Sequence, residues 1–474
     1  LSQADASLPE RYDVAIVGGG VVGCAMARRF TLEGARVVLL EKAVDILDGA
    51  SKGNSAILHT GFDAPPSSLE QRCIAEGHAE FLEIRESLGL PLLQCSAIVA
   101  AWSEEEVARL EELMDQARAN GVDDIVPLSA AEIRAAEPSL SGKVKGGFRV
   151  PREALMDPWS TPHAYLLQAL ANGAEVRRAC EVTGGQFDGS SWLLETSTEV
   201  LRAHSVINCA GLFGDLLDQR LLGETGFSIK PRKGQFLVFD KAAAQLVSSI
   251  ILPVPTEKTK GIVVCRTVFG NVLVGPTAED QESRCDSSTD AATLKSLQGK
   301  AAEIVPGLAE IPVTASYAGL RPASEQKDYR IQAYPERNYV SVGGIRSTGL
   351  SAALGIARHV LGLHQGFGPR FTAPRQPRVP EVPSRLSEYD PRAWEEAGNG
   401  GIVCHCELVT RAEIERVLQG PLPPRSLSGL KRRTRVTMGR CQGFYCTGAL
   451  ARITEGAFDS PLAVRAAEGE DEDA

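Results

Sequence analysis

Four of the eleven cysteines, Cys404, Cys406, Cys441 and Cys446, lie within 43 residues of one another. Cys404-x-Cys406 is followed by a gap of 34 residues and then by Cys441-x4-Cys446. Two short loops carrying such pairs can converge to set four thiolates around one metal centre, and thiolates select soft metals and iron–sulfur clusters. Zinc is the rival, although four-cysteine zinc sites more often space their pairs C-x2-C. A site that has lost its metal is the third reading. The other seven cysteines (Cys24, Cys73, Cys95, Cys180, Cys209, Cys265 and Cys285) are scattered. In a large chain they read as reduced structural thiols.

A second constellation stands near the other end. Gly18, Gly20 and Gly23 spell G-x-G-x-x-G directly after the apolar run YDVAIV. The first glycine allows a tight turn, the second lets backbone approach a pyrophosphate, and the third permits close helix–strand packing. A helix N-terminus there stabilises phosphate charge. Glu41 follows Gly23 by 18 residues and ends the next strand, where its carboxylate can accept hydrogen bonds from a ribose. These residues predict dinucleotide binding without separating FAD from NAD. Residues 49–55, GASKGNS, form a small, polar loop that could reach a pyrophosphate or a ring edge, or serve as an ordinary surface loop.

The elements that must position these residues follow from periodicity. A strand over 12–17, a helix over 21–33 and a strand over 36–42 give the β–turn–helix–β opening of a dinucleotide fold. Residues 104–119 predict an amphipathic helix, and a further helix is expected over 161–172. Between 227 and 320 the runs QFLVFD, GIVVCRT and NVLVG alternate and are β-branched, which predicts a mainly antiparallel sheet in a separate substrate domain. YVSVGG at 339–344, with an apolar helix from Gly349 to Leu363, predicts a return to the first domain. Six prolines between Pro369 and Pro391 predict a semi-extended linker. Thr410-x-x-Glu413 is a capping box that should start a helix after the first cysteine pair. A second helix is expected from Cys446 through Leu450 and Ile453, its N-terminal amides turned to an anionic centre, with the basic run LKRRTR adding positive charge. The tail EGEDEDA is expected to be disordered.

The expected division is therefore an α/β architecture. A discontinuous dinucleotide-binding domain occupies 12–95, 150–222 and 316–366, and a substrate domain 96–149 and 223–315. A linker over 367–399, a small helical metal domain over 400–458 and an acidic tail over 459–474 complete it. The 474 residues are too many for one ordinary core. A net charge of −10 argues against a general nucleic-acid binder. No apolar run is long enough to span a bilayer, and residues 1–11 lack the features of a secretory leader, so a cytoplasmic chain with no integral membrane segment is expected.

YDVAIVGGGVVG, GASKGNSAILHTGFDAPPSSLE, INCAG and GLRP resemble the flavoenzyme superfamily of D-amino-acid oxidase, glycerol-3-phosphate dehydrogenase and L-2-hydroxyglutarate oxidase. The resemblance covers residues 12–365 and implies FAD as cofactor in a Rossmann-like domain with an antiparallel substrate sheet. It implies Glu41 and the adjacent Lys42 at the adenosine, and Ser51, Asn54 and Ser55 near the flavin. It further implies Val182 presenting backbone to adenine and Ala210 and Gly211 packed on FAD. The segment 344–350, including Gly344, Gly349 and Leu350, would close over the ring system.

The same resemblance places His59 beside the flavin, where an imidazole can accept a hydroxyl proton as general base. It places Arg321, in GLRP, over the flavin face, and Arg346 near a carboxylate-binding arginine of amino-acid-oxidising relatives. A guanidinium suits carboxylate or phosphate because its fork donates two parallel hydrogen bonds. The glycerol-3-phosphate enzymes usually carry an arginine where this chain has Asp63. That carboxylate would repel phosphate and favours a 2-hydroxy acid, with glycerol 3-phosphate close behind. His163 reads as a surface or capping residue, Lys233 as a residue facing flavin or solvent, and Tyr317 as packing.

VCHCELVTRAEI and RVTMGRCQGFYC, within 402–456, resemble the bacterioferritin-associated-ferredoxin-like [2Fe-2S] domain, which is also found fused to glycerol-3-phosphate dehydrogenase-type flavoproteins. A two-electron flavin beside a one-electron cluster suggests a dehydrogenase delivering to a quinone or a partner redox subunit. That is compatible with a hetero-oligomer and with peripheral placement at the inner membrane through the partner. Amine oxidation of an amino acid or opine, an oxidase with a structural metal module, a non-catalytic electron-transfer subunit and an NAD(P) enzyme are the competing readings.

Overall fold

The computed structural model describes residues 11–255, 261–382 and 386–463. Most of the acidic tail expected over 459–474, from residue 464 on, lies outside them. The chain divides into two compact units, Leu1–Asp390 and Pro391–Ala474.

The run around Tyr12 to Val17 is apolar on both faces, as an interior parallel strand must be. Arg11–Val17 lies between Val37–Glu41 and Val200–Asn208 and is parallel to both. The eight-stranded sheet continues through Trp192–Thr196 to Val182–Phe187 on one side and to Glu175–Arg178 on the other. Tyr339–Gly343 pairs parallel to Val200–Asn208 and brings Arg330–Tyr334 with it. Helices Val21–Leu32, Ser160–Ala171 and Leu69–Ile84 pack together with the apolar helix Gly349–His364. The predicted opening unit and return helix are thus present.

The substrate region is a nine-stranded sheet, mostly antiparallel, with one parallel pairing between Ala97–Ala101 and Ile250–Pro253. Val313–Ser324 pairs antiparallel along the length of Ile229–Phe239. This corrects the expected boundary at 316, because the return to the first sheet begins only at Arg330–Tyr334. The predicted helix 104–119 is two helices, Glu104–Ala108 and Leu110–Ala119, meeting at Arg109.

The proline-rich stretch is also corrected, since up to Asp390 it belongs to the first unit. Arg378 exchanges two hydrogen bonds with Asn172, and the Glu388 N–H donates to the Val268 carbonyl. Proline denies these residues a ladder but leaves their carbonyls free to accept, so the segment is strapped down without forming a strand.

In the second unit, Ile402–Cys404 pairs with Val409–Thr410, followed by helices Arg411–Gln419, Leu427–Thr434 and Thr447–Ile453. The capping box is formed, with Thr410 and Glu413 exchanging hydrogen bonds. Val409, Ile414, Val417, Leu430 and Leu450 make its core together with Cys404 and Cys446. The helix expected at Cys446 spans only seven residues. The helix carrying LKRRT was not foreseen. Among the described residues no helix is long and apolar enough to cross a membrane.

Candidate functional site

The glycine turn is built by backbone crowding. Gly18 has φ +111°, and a Cβ there would fall 2.4 Å from the Cys209 carbonyl oxygen. A Cβ on Gly23 would fall 1.9 Å from the Gly18 carbonyl oxygen, so Gly23 seats the helix on the turn. A Cβ on Gly20 would meet only the Ser51 hydroxyl, at 3.1 Å, which leaves room for an approaching ligand. Ser51 Oγ accepts from the Val21 N–H at 3.0 Å. The Glu41 carboxylate accepts from the Gly19 N–H at 2.6 Å and the Ala43 N–H at 2.8 Å. Burial raises its pKa against the pull of those two bonds. Both oxygens keep a lone pair that a ribose hydroxyl could use. The Lys42 ammonium sits 3.3 Å from the centre of the Phe213 ring.

A cavity of about 770 Å³ opens from this turn. Gly18, Gly20, Glu41, Lys42, Ser51, Asn54, Ser55, Val182, Ala210, Gly211, Gly349 and Leu350 line it, and so do His59, Arg321 and Arg346. Two of the expected residues do not. Gly23 is consumed by packing, as its glycine role requires. Gly344 has φ +65° and turns the chain after Tyr339–Gly343, facing Ser324 and Arg330 rather than the cavity. The fit to a flavin dinucleotide rests on open space above Gly20, a buried carboxylate ending the second strand and a continuous cavity beyond both.

The far end of the cavity is cationic. Arg321 is half-buried and donates to the Thr277 carbonyl at 3.1 Å, and a Cβ on Gly234 would fall 2.5 Å from its Nη2. Burial pushes Arg321 down to about 10, with Arg232 and Arg346 pushing the same way. It therefore stays charged at neutral pH. Arg346 donates to the Lys327 carbonyl at 3.3 Å. Among the described residues neither guanidinium has an acidic side chain at ion-pair distance. Arg232, which pairs in register with Arg321, is by contrast held by Asp280 at 2.6 Å. Asp63 lines the cavity but has an interaction of its own.

His59 Nδ1 lies 2.9 Å from Glu153 Oε2. Nothing in the local spacing marks Glu153. It becomes visible only because Leu58 pairs with Ala154, which sets Glu153 opposite His59. Of the lesser candidates, Tyr317 donates to the Asn54 carbonyl at 2.7 Å and stacks on Phe236, as a packing residue does. Lys233 pairs with Asp286 at 3.2 Å and does not line the cavity. His163 is buried within its helix rather than at the surface.

In the second unit the four cysteines are neighbours. Cys406 hydrogen-bonds Cys441, and Cys446 hydrogen-bonds Cys404. Backbone N–H groups, that of Tyr445 foremost, hold the Cys441 thiol below its ordinary value. Burial raises Cys406, and pushes Cys446 up to about 11. Among the described residues no three His, Cys, Asp or Glu side chains crowd about a single point as one ion requires. Four neighbouring sulfurs, with backbone N–H groups holding the Cys441 thiol towards its anionic form, suit a soft metal centre. Arg432, Arg433 and Arg435 are buried in the same unit, and Arg435 pairs with Glu407 at 2.9 Å. Phe444 and Tyr445, between Cys441 and Cys446, are 82% and 76% exposed.

Comparison with known proteins fits both halves. Residues 402–455 match the BFD-like [2Fe-2S] binding domain. A glycerol 3-phosphate dehydrogenase of Caloramator mitchellensis is 30% identical over 449 residues, 93% of each chain. An L-2-hydroxyglutarate dehydrogenase of Salmonella houtenae is 30% identical over 272 residues, 56% of this chain and 64% of that one. The solved structure of dithionite-reduced L-alpha-glycerophosphate oxidase from Mycoplasma pneumoniae with FAD bound superposes with a TM-score of 0.72 at 29% identity, covering 78% of this chain and 97% of the other. The cofactors are FAD and a [2Fe-2S] cluster. Residues 13–363 match the FAD dependent oxidoreductase family, and the chain belongs to it.

Proposed function

We propose that the chain is a dehydrogenase for the CH–OH group of a small anion, with glycerol 3-phosphate as first choice and a 2-hydroxy acid second. The observation that carries this is one cavity joining the glycine turn to His59 and to two guanidiniums, Arg321 and Arg346, which among the described residues donate to backbone carbonyls and have no carboxylate at ion-pair distance. A partly desolvated cation without a carboxylate beside it favours a bound anion, and an anionic substrate supplies that charge. The order of substrates follows the relative matched over nearly the whole chain.

When bound, FAD supplies a two-electron acceptor and the cluster a one-electron store. Gly18, Gly20, Glu41 and Ser51 hold the dinucleotide, with Asn54, Ser55, Val182, Ala210, Gly211, Gly349 and Leu350 along its length. Arg321 and Arg346 anchor the anionic group of the substrate and orient its hydroxyl. His59 takes the hydroxyl proton. Cys404, Cys406, Cys441 and Cys446 would ligate the cluster, and the exposed Phe444 and Tyr445 would offer a quinone or a partner redox subunit a place to dock beside it.

Anaerobic mixing of the purified protein with glycerol 3-phosphate, L-2-hydroxy acids and amino acids tests this. Bleaching of the flavin by glycerol 3-phosphate, a paramagnetic signal from the reduced cluster and a ketone product without ammonia are expected. Bleaching by amines alone would overturn the reading.

A further inference from the structure

The proposed base is held by a residue to which no role has been given. Glu153 is fully buried, and its side chain makes three hydrogen bonds to two consecutive residues. Oε1 accepts from the Thr60 N–H at 2.6 Å and the Thr60 hydroxyl at 2.9 Å. Oε2 faces His59 Nδ1 at 2.9 Å. His59 remains 18% exposed at its side chain and reaches the cavity, whereas Glu153 does not line it.

We infer that Glu153 is the positioning residue that makes His59 a base, by fixing its tautomer and matching the charge it acquires. This rests on the proposed role of His59.

The argument is one of donors and acceptors. An ionised carboxylate can only accept, so the ring nitrogen facing it must donate. Nδ1 then carries the hydrogen, and the lone pair of the neutral ring sits on Nε2. In the step itself one proton leaves the substrate hydroxyl for Nε2. The oxygen keeps the O–H electron pair, and the ring becomes an imidazolium whose positive charge lies beside a buried carboxylate. Charges in a dry site interact far more strongly than in water, so this pairing lowers the cost of protonating the ring. The Thr60 bonds serve a separate purpose. They occupy the other oxygen and stop the carboxylate from rotating away, and the pairing of Leu58 with Ala154 fixes the two segments across the chain.

Glu153→Gln separates this role from a structural one. The amide oxygen can keep both Thr60 bonds, and the amide nitrogen must then donate to Nδ1. That forces the hydrogen onto Nε2 and removes the basic lone pair. The expected variant keeps FAD and its KM but reduces flavin more slowly by roughly 10²–10⁴-fold, the usual worth of a positioned general base. Glu153→Asp, which keeps the charge on a shorter arm, should recover part of that loss.

Nitrogen-15 resonance of histidine-labelled holoenzyme, with His59 assigned through His59→Gln, reads the tautomer directly and needs no turnover. Hydrogen on Nδ1 in the unaltered protein supports the inference, and hydrogen on Nε2 overturns it even if no Glu153 variant folds. A Glu153→Gln enzyme that reduces flavin at the original rate also overturns it. If His59→Gln is itself fully active, the base reading fails as well. If His59→Gln is impaired and Glu153→Gln is not, only the role of Glu153 fails.

Discussion

The thiolate ligands and the flavin cavity were assembled in opposite ways. In the second unit all four cysteines fall within 43 residues, on loops flanking helices that build their own small core. In the first unit the cavity draws on Gly18, His59, Val182, Ala210, Arg321 and Leu350, from segments spread over more than 300 residues of chain. Cysteine ligation asks only that four sulfurs meet, which short loops can arrange. A cavity that must grip a dinucleotide at one end and an anion at the other needs two sheets. The difference predicts that the two centres can be broken separately.

The largest effect should come from Gly23→Ala. Its new Cβ would strike the Gly18 backbone, and neither chain can yield without moving the strand. The expected cost is on the order of 1–3 kcal/mol or more, as for other overpacking, with loss of flavin absorbance while the paramagnetic cluster signal persists. Loss of both signals together would mean the units are not independent. Cys441→Ser is the converse. It should abolish the cluster signal, leave FAD stoichiometric and leave substrate bleaching of the flavin intact. If flavin bleaching disappears as well, the comparison fails from the other side.

Within the first unit, Arg321→Ala should raise KM by about 10²-fold, since a charge-assisted hydrogen bond is worth ~1.5–3 kcal/mol. Its melting temperature should change little, because a half-buried cation with no carboxylate at ion-pair distance among the described residues is removed. An unchanged KM would take Arg321 out of the substrate site. Arg346→Ala should have the smallest effect, a KM rise of about tenfold, because Arg346 is only partly buried and more of its charge is screened by water. The two substitutions combined should fall short of the product of their separate effects, as expected for groups sharing one anion.

How far each centre could be read follows the same division. The glycine turn, the helix after it and Glu41 were visible because their types and spacing fall within one strand–helix–strand unit of about 30 residues. The four cysteines and the Thr410 capping box were likewise visible in type and spacing. Gly344 was misplaced because a family resemblance in a loop cannot tell a residue that faces the cavity from one that turns the chain beside it. The proline-rich segment was read as a linker because its composition describes backbone freedom and says nothing about what the free carbonyls bind.

Sequence alone thus determined the glycine turn with its flanking strands and helix and the Thr410 capping box, which depend on spacing along a few turns of chain. Tertiary structure alone decided that Val313–Ser324 joins Ile229–Phe239, that Gly234 leaves space for the Arg321 guanidinium, and that Glu153 meets His59 across 94 residues of separation. Those outcomes depend on strand register. Register is set by which faces are buried across the whole sheet, and no local pattern carries that information.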